Sequence, residues 1–510
     1  MTATMTPLGP PGHMPGRDSF LQLLHAEWTK FRTVRSWVHG MVVAALLVVA
    51  VALLAGFSSD QKGASPVPIG PGGEPVADTY YFVHQPLAGD GSVTVSVSAL
   101  SSSLSDGLTG LRPGAVPWAK AGLIIRESTR QGAPYAAVMA TGSHGVRMQD
   151  DYVNDRAGLP DAVSAGSPRW LRLARSADTI TGYDSTDGRK WTEVGTAKLV
   201  GLGSTAQVGL FVASPPTVGG GGTAGSVSTA TFQDLRVHGG WTAGNWAGEQ
   251  MGAHSPTFSG YPAHGSGSFS RSGDRYTVTG AGDIAPAVRD TLPTGGHLRD
   301  ILTGTFAALI AVIVVGALFI TTEYQNSMVR TTLAADPRRS RMLVAKSIVV
   351  GAVAFVAGLV GTAAAIPIGT RLASAHGVYI FPTSSSTQLR VALGTAALLA
   401  TTAITGMACG AIFRQGAGAV TTVTVAVVLP YVLTAIPFMP AGAADWLAKV
   451  TPGAAFAVQQ TLVPYHQVAS NYTPYYGYYP LQPWVGFAVL AGYAVAALAV
   501  AAVLLNRRDA

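Results

Sequence analysis

The chain has one cysteine, Cys409, which sits in an apolar stretch. An intrachain disulfide is therefore impossible, and so is a cysteine-built metal cluster. Charge is scarce as well: Asp, Glu, Lys and Arg make up 12% of 510 residues, about half the share of a soluble domain. Much of the chain is thus not soluble surface. The formal net charge is +7, but in so apolar a chain a basic surplus belongs beside membrane spans rather than on nucleic acid. The dipeptide Gly-Lys never occurs, so the phosphate-cradling loop G-x-x-x-x-G-K-[ST] is missing. No motif marks a catalytic residue, a metal site or a cofactor site.

Long apolar runs are present instead. A helix needs about 20 apolar residues to cross a hydrocarbon core of ~30 Å. Six runs qualify: 38–57, 301–322, three within 345–437 (345–368, 391–413 and 417–437) and 485–505. Between Met41 and Gly56, Ile301 and Ile320, Ser347 and Ile368, Val391 and Phe413, Ala417 and Ile436, and Val485 and Leu505 there is no Asp, Glu, Lys, Arg or His. A gradient-driven transporter or a voltage sensor needs such groups within its spans. Any transport by this chain must therefore draw its energy from a partner.

Lys and Arg near the spans set the expected orientation. One side holds Lys30, Arg32, Arg35, Arg330, Arg338, Arg339, Arg341, Lys346, Arg414, Arg507 and Arg508, and the other Arg299, Arg371, Arg390 and Lys449. That asymmetry puts both termini in the cytoplasm. The N-terminal segment 1–37 carries Phe20, Leu24, Trp28 and Phe31 at helical spacing, with Glu27, Lys30 and Arg32 elsewhere. It reads as an interfacial helix anchored by Trp28 and Lys30. In the loop at 323–341, Asp336 and Pro337 are suited to N-cap and first helical position. Arg338, Arg339 and Arg341 read as membrane anchors at the start of the third span.

Residues 58–300 have a different texture, rich in Gly, Ser, Thr and Val. Short alternating runs bounded by turn residues ("GSVTVSVSAL", "AGLIIRES", "YAAVMAT", "WLRLARSADTITGYDSTDGRKWTEVG", "AQVGLFVAS") predict an antiparallel β-sandwich on the extracellular side, its core at 78–240. Asp187 and Gly188 supply a hairpin turn, and Asp184 and Asp187 read as turn residues rather than calcium ligands. The extracellular loop 438–484 contains "YTPYYGYYP", whose tyrosines are expected at the lipid headgroups. Gly406 and Gly410 allow close helix packing, inside the bundle or at a dimer seam.

The segments "AEWTKFRTVRS" and "FITTEYQNSMVRTTLAADPRRSRMLVAKSIV", with the six-span layout, resemble bacterial ABC exporter permeases of the type-2 class over about half the chain. The family often has Gly-Thr after Glu-Tyr-x-x, where this chain has Ser327 and Met328. The resemblance implies an α-helical polytopic protein of the bacterial cytoplasmic membrane, not itself an enzyme. It also implies a separate cytoplasmic ABC ATPase, a second permease copy and membrane lipid as partners. Glu323, Tyr324, Met328, Val329 and Arg330 would couple to the ATPase through the loop at 323–341. Residues 90–238 resemble concanavalin-like, laminin-G-like jelly rolls, which often bind sugars. Tyr152, Trp170, Tyr183 and Trp191 are then candidate stacking faces, although core and cross-strand pairing explains the same aromatics. The rival reading is a membrane-anchored surface glycan-binding or sensing protein, for which one span would suffice. A glycosidase would need paired carboxylates, and Glu127 and Glu193 stand in no motif for that.

Overall fold

The computed structural model describes residues 20–58, 66–105, 110–219, 222–242, 244–252, 267–292, 295–325, 339–434 and 439–508. Its helices are α1 (Phe20–Thr33), α2 (Arg35–Ser58), α3 (Leu298–Ile301), α4 (Thr305–Gln325), α5 (Arg339–Ala375), α6 (Ser385–Phe413), α7 (Gly416–Thr434), α8 (Ala441–Val450) and α9 (Pro483–Arg508). Among the described residues six stretches are long and apolar enough to cross a membrane: α2, α4 with its lead-in from Leu298, α5, α6, α7 and α9. Helix is the form in which such uninterrupted apolar runs satisfy their own backbone groups. Punctuation is local. The Ser384 hydroxyl accepts the Thr387 N–H at the start of α6. Arg414, at φ +55°, ends that helix and turns the chain into α7.

α4 and α6 form the centre of the bundle, and their seam is built from glycine. A side chain at Gly316 would collide with the Ala403 carbonyl, one at Gly406 with Ile313, and one at Gly410 with Ile320. Close backbone approach is what small residues permit between apolar helices. Gly406 and Gly410 therefore serve packing within this chain.

Between α2 and α3 lie two large antiparallel sheets. Edge to edge, the first runs Thr192–Lys198, Thr179–Ser185, Arg169–Ser176, Gly91–Ser105, Ser226–Gly239, Arg275–Gly280 and Ser268–Ser272. The second runs Ala247–Met251, Tyr80–Ala88, Thr205–Ala213, Lys120–Arg126, Tyr135–Thr141, Val146–Asp150 and Asn154–Ala157. Val93, Val95, Leu171, Leu173 and Phe232 of the first sheet meet Val83, Leu123, Ile125, Val138 and Leu210 of the second. The expected β-sandwich is thus present, but its boundaries are wider than 78–240. Strands at 247–251, 268–272 and 275–280 complete the sheets.

The second sheet is buried on both faces, which is why "KAGLIIR" and "YAAVMAT" are buried at every position rather than alternating. Its far face carries Tyr80, Phe82, Ile124, Tyr135 and Phe211, beside a ribbon in which Val76–Asp78 pairs with Ile284–Pro286. These ribbon strands are the stretches through which the chain enters and leaves the sandwich. Buried charges fasten them. Arg126 Nη2 reaches Asp78 Oδ2 at 2.9 Å, Tyr152 donates to the same oxygen at 2.8 Å, and Lys120 reaches Asp283 at 2.6 Å.

Asp151 lies at the turn beside this network, at φ +45°. Partial burial raises its carboxyl to about 6, against an opposing hydrogen bond from the Tyr135 N–H, with a smaller push from Asp150. A folded value above the unfolded ~3.9 means that the folded state holds the proton more tightly. Stability from this group is therefore lost as pH rises from about 4 to 6. Asp151→Asn keeps the amide-accepting oxygen and should raise the unfolding midpoint of the sandwich at pH 7 while leaving it unchanged near pH 4. A midpoint gain that is the same at both pH values would contradict this.

The tyrosine-rich loop differs from the headgroup expectation. Tyr478 and Tyr479 are buried, and Tyr472 and Tyr476 are half-buried. Tyr472, Tyr476 and Tyr478 pack with Leu292, Phe381 and Leu462 against the connection from sandwich to α3, while Tyr479 joins the core of the helices. Asp290 in that connection accepts from Ser470 Oγ at 2.6 Å and from the Asn471 N–H at 2.7 Å. The Tyr472 hydroxyl donates to the Tyr465 and Val468 carbonyls, and the packed rings with the Asp290 bonds clamp the sandwich to the helices.

Candidate functional site

At the ends of α4 and α5 remote from the sandwich, four charged side chains converge. Phe319 and Glu323 stand one turn apart on α4, and Lys346 shares a face of α5 with Met342 and Val349. Lys346 is fully buried. Its Nζ lies 2.7 Å from Glu323 Oε1, 2.7 Å from Glu27 Oε2 of α1, and 4.6 Å from the centre of the Phe319 ring. Lys30 Nζ closes the group from the partly exposed side, 3.0 Å from Glu27 and 3.3 Å from Glu323. Two carboxylates and two ammonium groups cancel. Burying such charges is tolerable only because each has close partners. Beside them Phe31, Trp37 and Phe319 form a ring cluster, with centroids 5.0–6.0 Å apart.

This geometry revises three expectations. Glu27 does not fall away from the apolar face of α1. It lies on the packed face with Leu24 and Phe31, while Trp28 is 43% exposed. Lys346, counted among the cations of the cytoplasmic side, is held inside the protein by two carboxylates. Lys30 is ion-paired to both acids rather than extended alone to the surface. Glu323 is buried too: its Oε1 meets both lysines, while its Oε2 has no hydrogen-bond partner among the described residues. Tyr324 follows it, with the Arg414 guanidinium 5.2 Å above its ring. Arg341 is partly buried. Met328, Val329, Arg330 and Arg338 lie outside the described residues, as does the side chain of Arg339 and the expected Asp336–Pro337 helix start. The sequence reading overlooked Glu27 and Lys346 as a pair. The signal was spacing: Leu24, Glu27, Phe31 and Val34 share one face, as do Met342, Lys346 and Val349.

The sandwich aromatics divide. Tyr152 is fully buried and bonded to Asp78, so it offers no stacking face. Trp170 and Tyr183 point to the outer face of the first sheet, opposite the inward Leu171, Leu173 and Ile180. Trp191 stacks there on Arg172 at 4.0 Å. Asp187 accepts the N–H groups of Arg189 and Lys190, each at 2.8 Å, which pulls its carboxyl down to about 2. Asp184 accepts the Leu159 N–H at 2.6 Å. Both acids are thus used in turn and loop bonding. Glu127 follows a strand of the second sheet, whereas Glu193 lies on the edge strand of the first.

No protein-family model matches the chain. No curated protein matches it either. Among solved structures it is similar to a functionally unknown protein from Saccharomyces cerevisiae, at 14% identity and a TM-score of 0.24 over 36% of this chain and 86% of that one. It is also similar to scytalido-glutamic peptidase, at 10% identity and a TM-score of 0.25 over 40% of this chain and 98% of that one. A third similarity is to xylan beta-1,4-xylosidase from Bacillus halodurans C-125, at 14% identity and a TM-score of 0.17 over 25% of this chain and 29% of that one. Likenesses this weak carry no argument about function.

Proposed function

We propose that the chain is the membrane-spanning subunit of an ATP-driven exporter of the type-2 class, working with a second copy and a separate cytoplasmic ATPase. The observation that supports this reading is the buried charge cluster. Glu323 and Lys346 stand at the two ends of the stretch that joins α4 to α5, and Glu27 ties α1 to both. A partner pressing on residues 326–338 would therefore move three helix ends as one body. Coupling of this kind needs a rigid connection, which a closed four-charge group surrounded by aromatic rings provides. Glu323 then acts as an internal brace, and contact with the ATPase falls to Met328, Val329 and Arg330. The sandwich is the jelly-roll insert of this subunit on the extracellular face, clamped to the helices by the tyrosine-rich loop.

This reading requires the joining loop and the sandwich to lie on opposite sides of the membrane. In a chain carrying Cys409→Ala, single cysteines at the exposed positions Thr186→Cys and Ser340→Cys are to be probed on whole cells with a membrane-impermeant thiol reagent. Labelling is expected at position 186 and absent at 340 until the cells are opened. The reverse pattern would overturn the orientation and with it the coupling role of the loop.

A second reading is favoured by one feature, the grouping of Trp170, Arg172, Tyr183 and Trp191 on one outer sheet face. Rings beside an arginine form a surface on which a sugar can stack, as expected of a glycan-binding surface protein. Six apolar helices exceed what anchoring such a protein requires.

A further inference from the structure

A cavity of about 280 Å³ opens at the sandwich-side end of α4, between that helix, α7 and the tyrosine-rich loop. Its walls include Arg289, Arg299, Asp300, Phe306, Tyr431 and Tyr475. Arg289 is answered by Asp300 at 3.2 Å. Arg299 is held differently. It donates to the Tyr475 carbonyl at 2.9 Å and to the Tyr431 hydroxyl, and its guanidinium lies 5.1 Å over the Tyr431 ring. Among the described residues no carboxylate is within ion-pair distance of Arg299. The cavity thus carries one surplus positive charge, fixed in place by aromatic partners and half-enclosed. A guanidinium positioned in this way is suited to a phosphate or carboxylate.

The same α4–α7 seam has a second opening nearer the charge cluster. There an open groove of about 550 Å³ is lined by Val314, Leu318, Val420 and Thr421. Phe306 and Val314 are eight positions apart on α4, which is ~12 Å along the axis. One leaflet of a ~30 Å hydrocarbon core is about 15 Å deep. A single amphiphile with its head beside Arg299 would therefore bring its tail to Val314 and Leu318.

We infer that the α4–α7 seam binds an anionic amphiphile of the phospholipid class, its headgroup in the Arg289–Arg299 cavity and its acyl chain in the groove. Such binding does not depend on whether the chain is a transport subunit.

The test uses the full chain, purified in a neutral maltoside detergent without an ATPase, so that failure of the transport reading does not affect it. Dioctanoyl phosphatidylglycerol, dioctanoyl phosphatidylcholine and inorganic phosphate are titrated separately by calorimetry. Saturable one-site binding of the phosphatidylglycerol is expected, about tenfold weaker for each of the other two probes. Arg299→Gln should weaken phosphatidylglycerol binding by about tenfold. Thr303→Phe, at an exposed position on the cavity wall, fills the space without changing charge and should do the same. It decides the matter if Arg299→Gln fails to fold. Inorganic phosphate binding as tightly as the lipid would show a site for soluble anions and overturn the amphiphile. Phosphatidylcholine binding as tightly would overturn the requirement for net negative charge. Binding unchanged in Thr303→Phe would overturn the location.

Discussion

Lys346→Met is expected to be the most damaging single substitution in the helical half. It leaves Glu27 and Glu323 buried 0% and 4% exposed, facing each other with only Lys30 in reach. Removing one partner of a buried charge group costs about 3–5 kcal/mol. The purified chain should lose thermal stability, and α1 should become open to protease cleavage. The decisive comparison is the triple variant Lys346→Met, Glu27→Gln, Glu323→Gln. Neutral, hydrogen-bonding replacements of similar shape restore most of the loss if charge is the cause. If the triple variant is no better than Lys346→Met alone, the lysine contributes shape rather than charge. If the single variant is as stable as the unmodified chain, the cluster does not brace the helices.

In the sandwich the largest effect is expected from Asp78→Ala. Asp78 accepts from Arg126, from the Tyr152 hydroxyl and from the Gly132 N–H at 2.9 Å, and all of these groups are buried. The substitution strands a guanidinium that has no exposure, again at about 3–5 kcal/mol. For a domain of this size each kcal/mol moves the unfolding midpoint by ~2–4 °C, so a fall of roughly 6–20 °C is expected in the excised segment 66–292. Asp161→Asn, which keeps a residue tolerant of the φ of +75° at this position, is the control. Asp161 is 81% exposed and 3.7 Å from Arg169, and such a pair contributes little. A similar midpoint for the two variants would show that the ribbon at 76–78 is not held by charge.

Some of this was legible in the sequence and some was not, for physical reasons. The six apolar helices follow from run length alone, because nothing else satisfies twenty consecutive apolar residues. The Asp187–Gly188 hairpin follows from turn chemistry, and Gly188 does adopt φ +69°. Of the strands beyond 240, "RYTVTG" at 275–280 is legible by its alternation and pairs with the long strand 226–239, whereas 247–251 and 268–272 carry little β signal and form against 80–88 and 275–280. The second face of the sheet was hidden because strands buried on both sides lose their alternation. The tyrosines were misplaced because their composition suits both lipid headgroups and protein cores. Arg299 and Asp290, far away in sequence, decide between the two. Glu323 is legible as an acid at the end of a span, where a positive-inside count gives it no role. Its partner Lys346 was concealed among basic residues that a positive-inside count treats as equivalent, and only helix-face spacing separates it from them.

The central claim, that the stretch between α4 and α5 engages an ATPase, is tested most directly by cross-linking from within it. A photo-reactive residue is placed at Arg330 in the full chain at its natural expression level, with a second at the exposed Thr186 in the sandwich as control. Cross-linked products are identified by mass spectrometry, and the purified complex is assayed for ATP hydrolysis. Position 330 should capture an ATP-hydrolysing subunit whose activity rises in the presence of this chain, while position 186 captures none. Capture of no nucleotide hydrolase at 330, or of the same proteins from both positions, would contradict the proposed role.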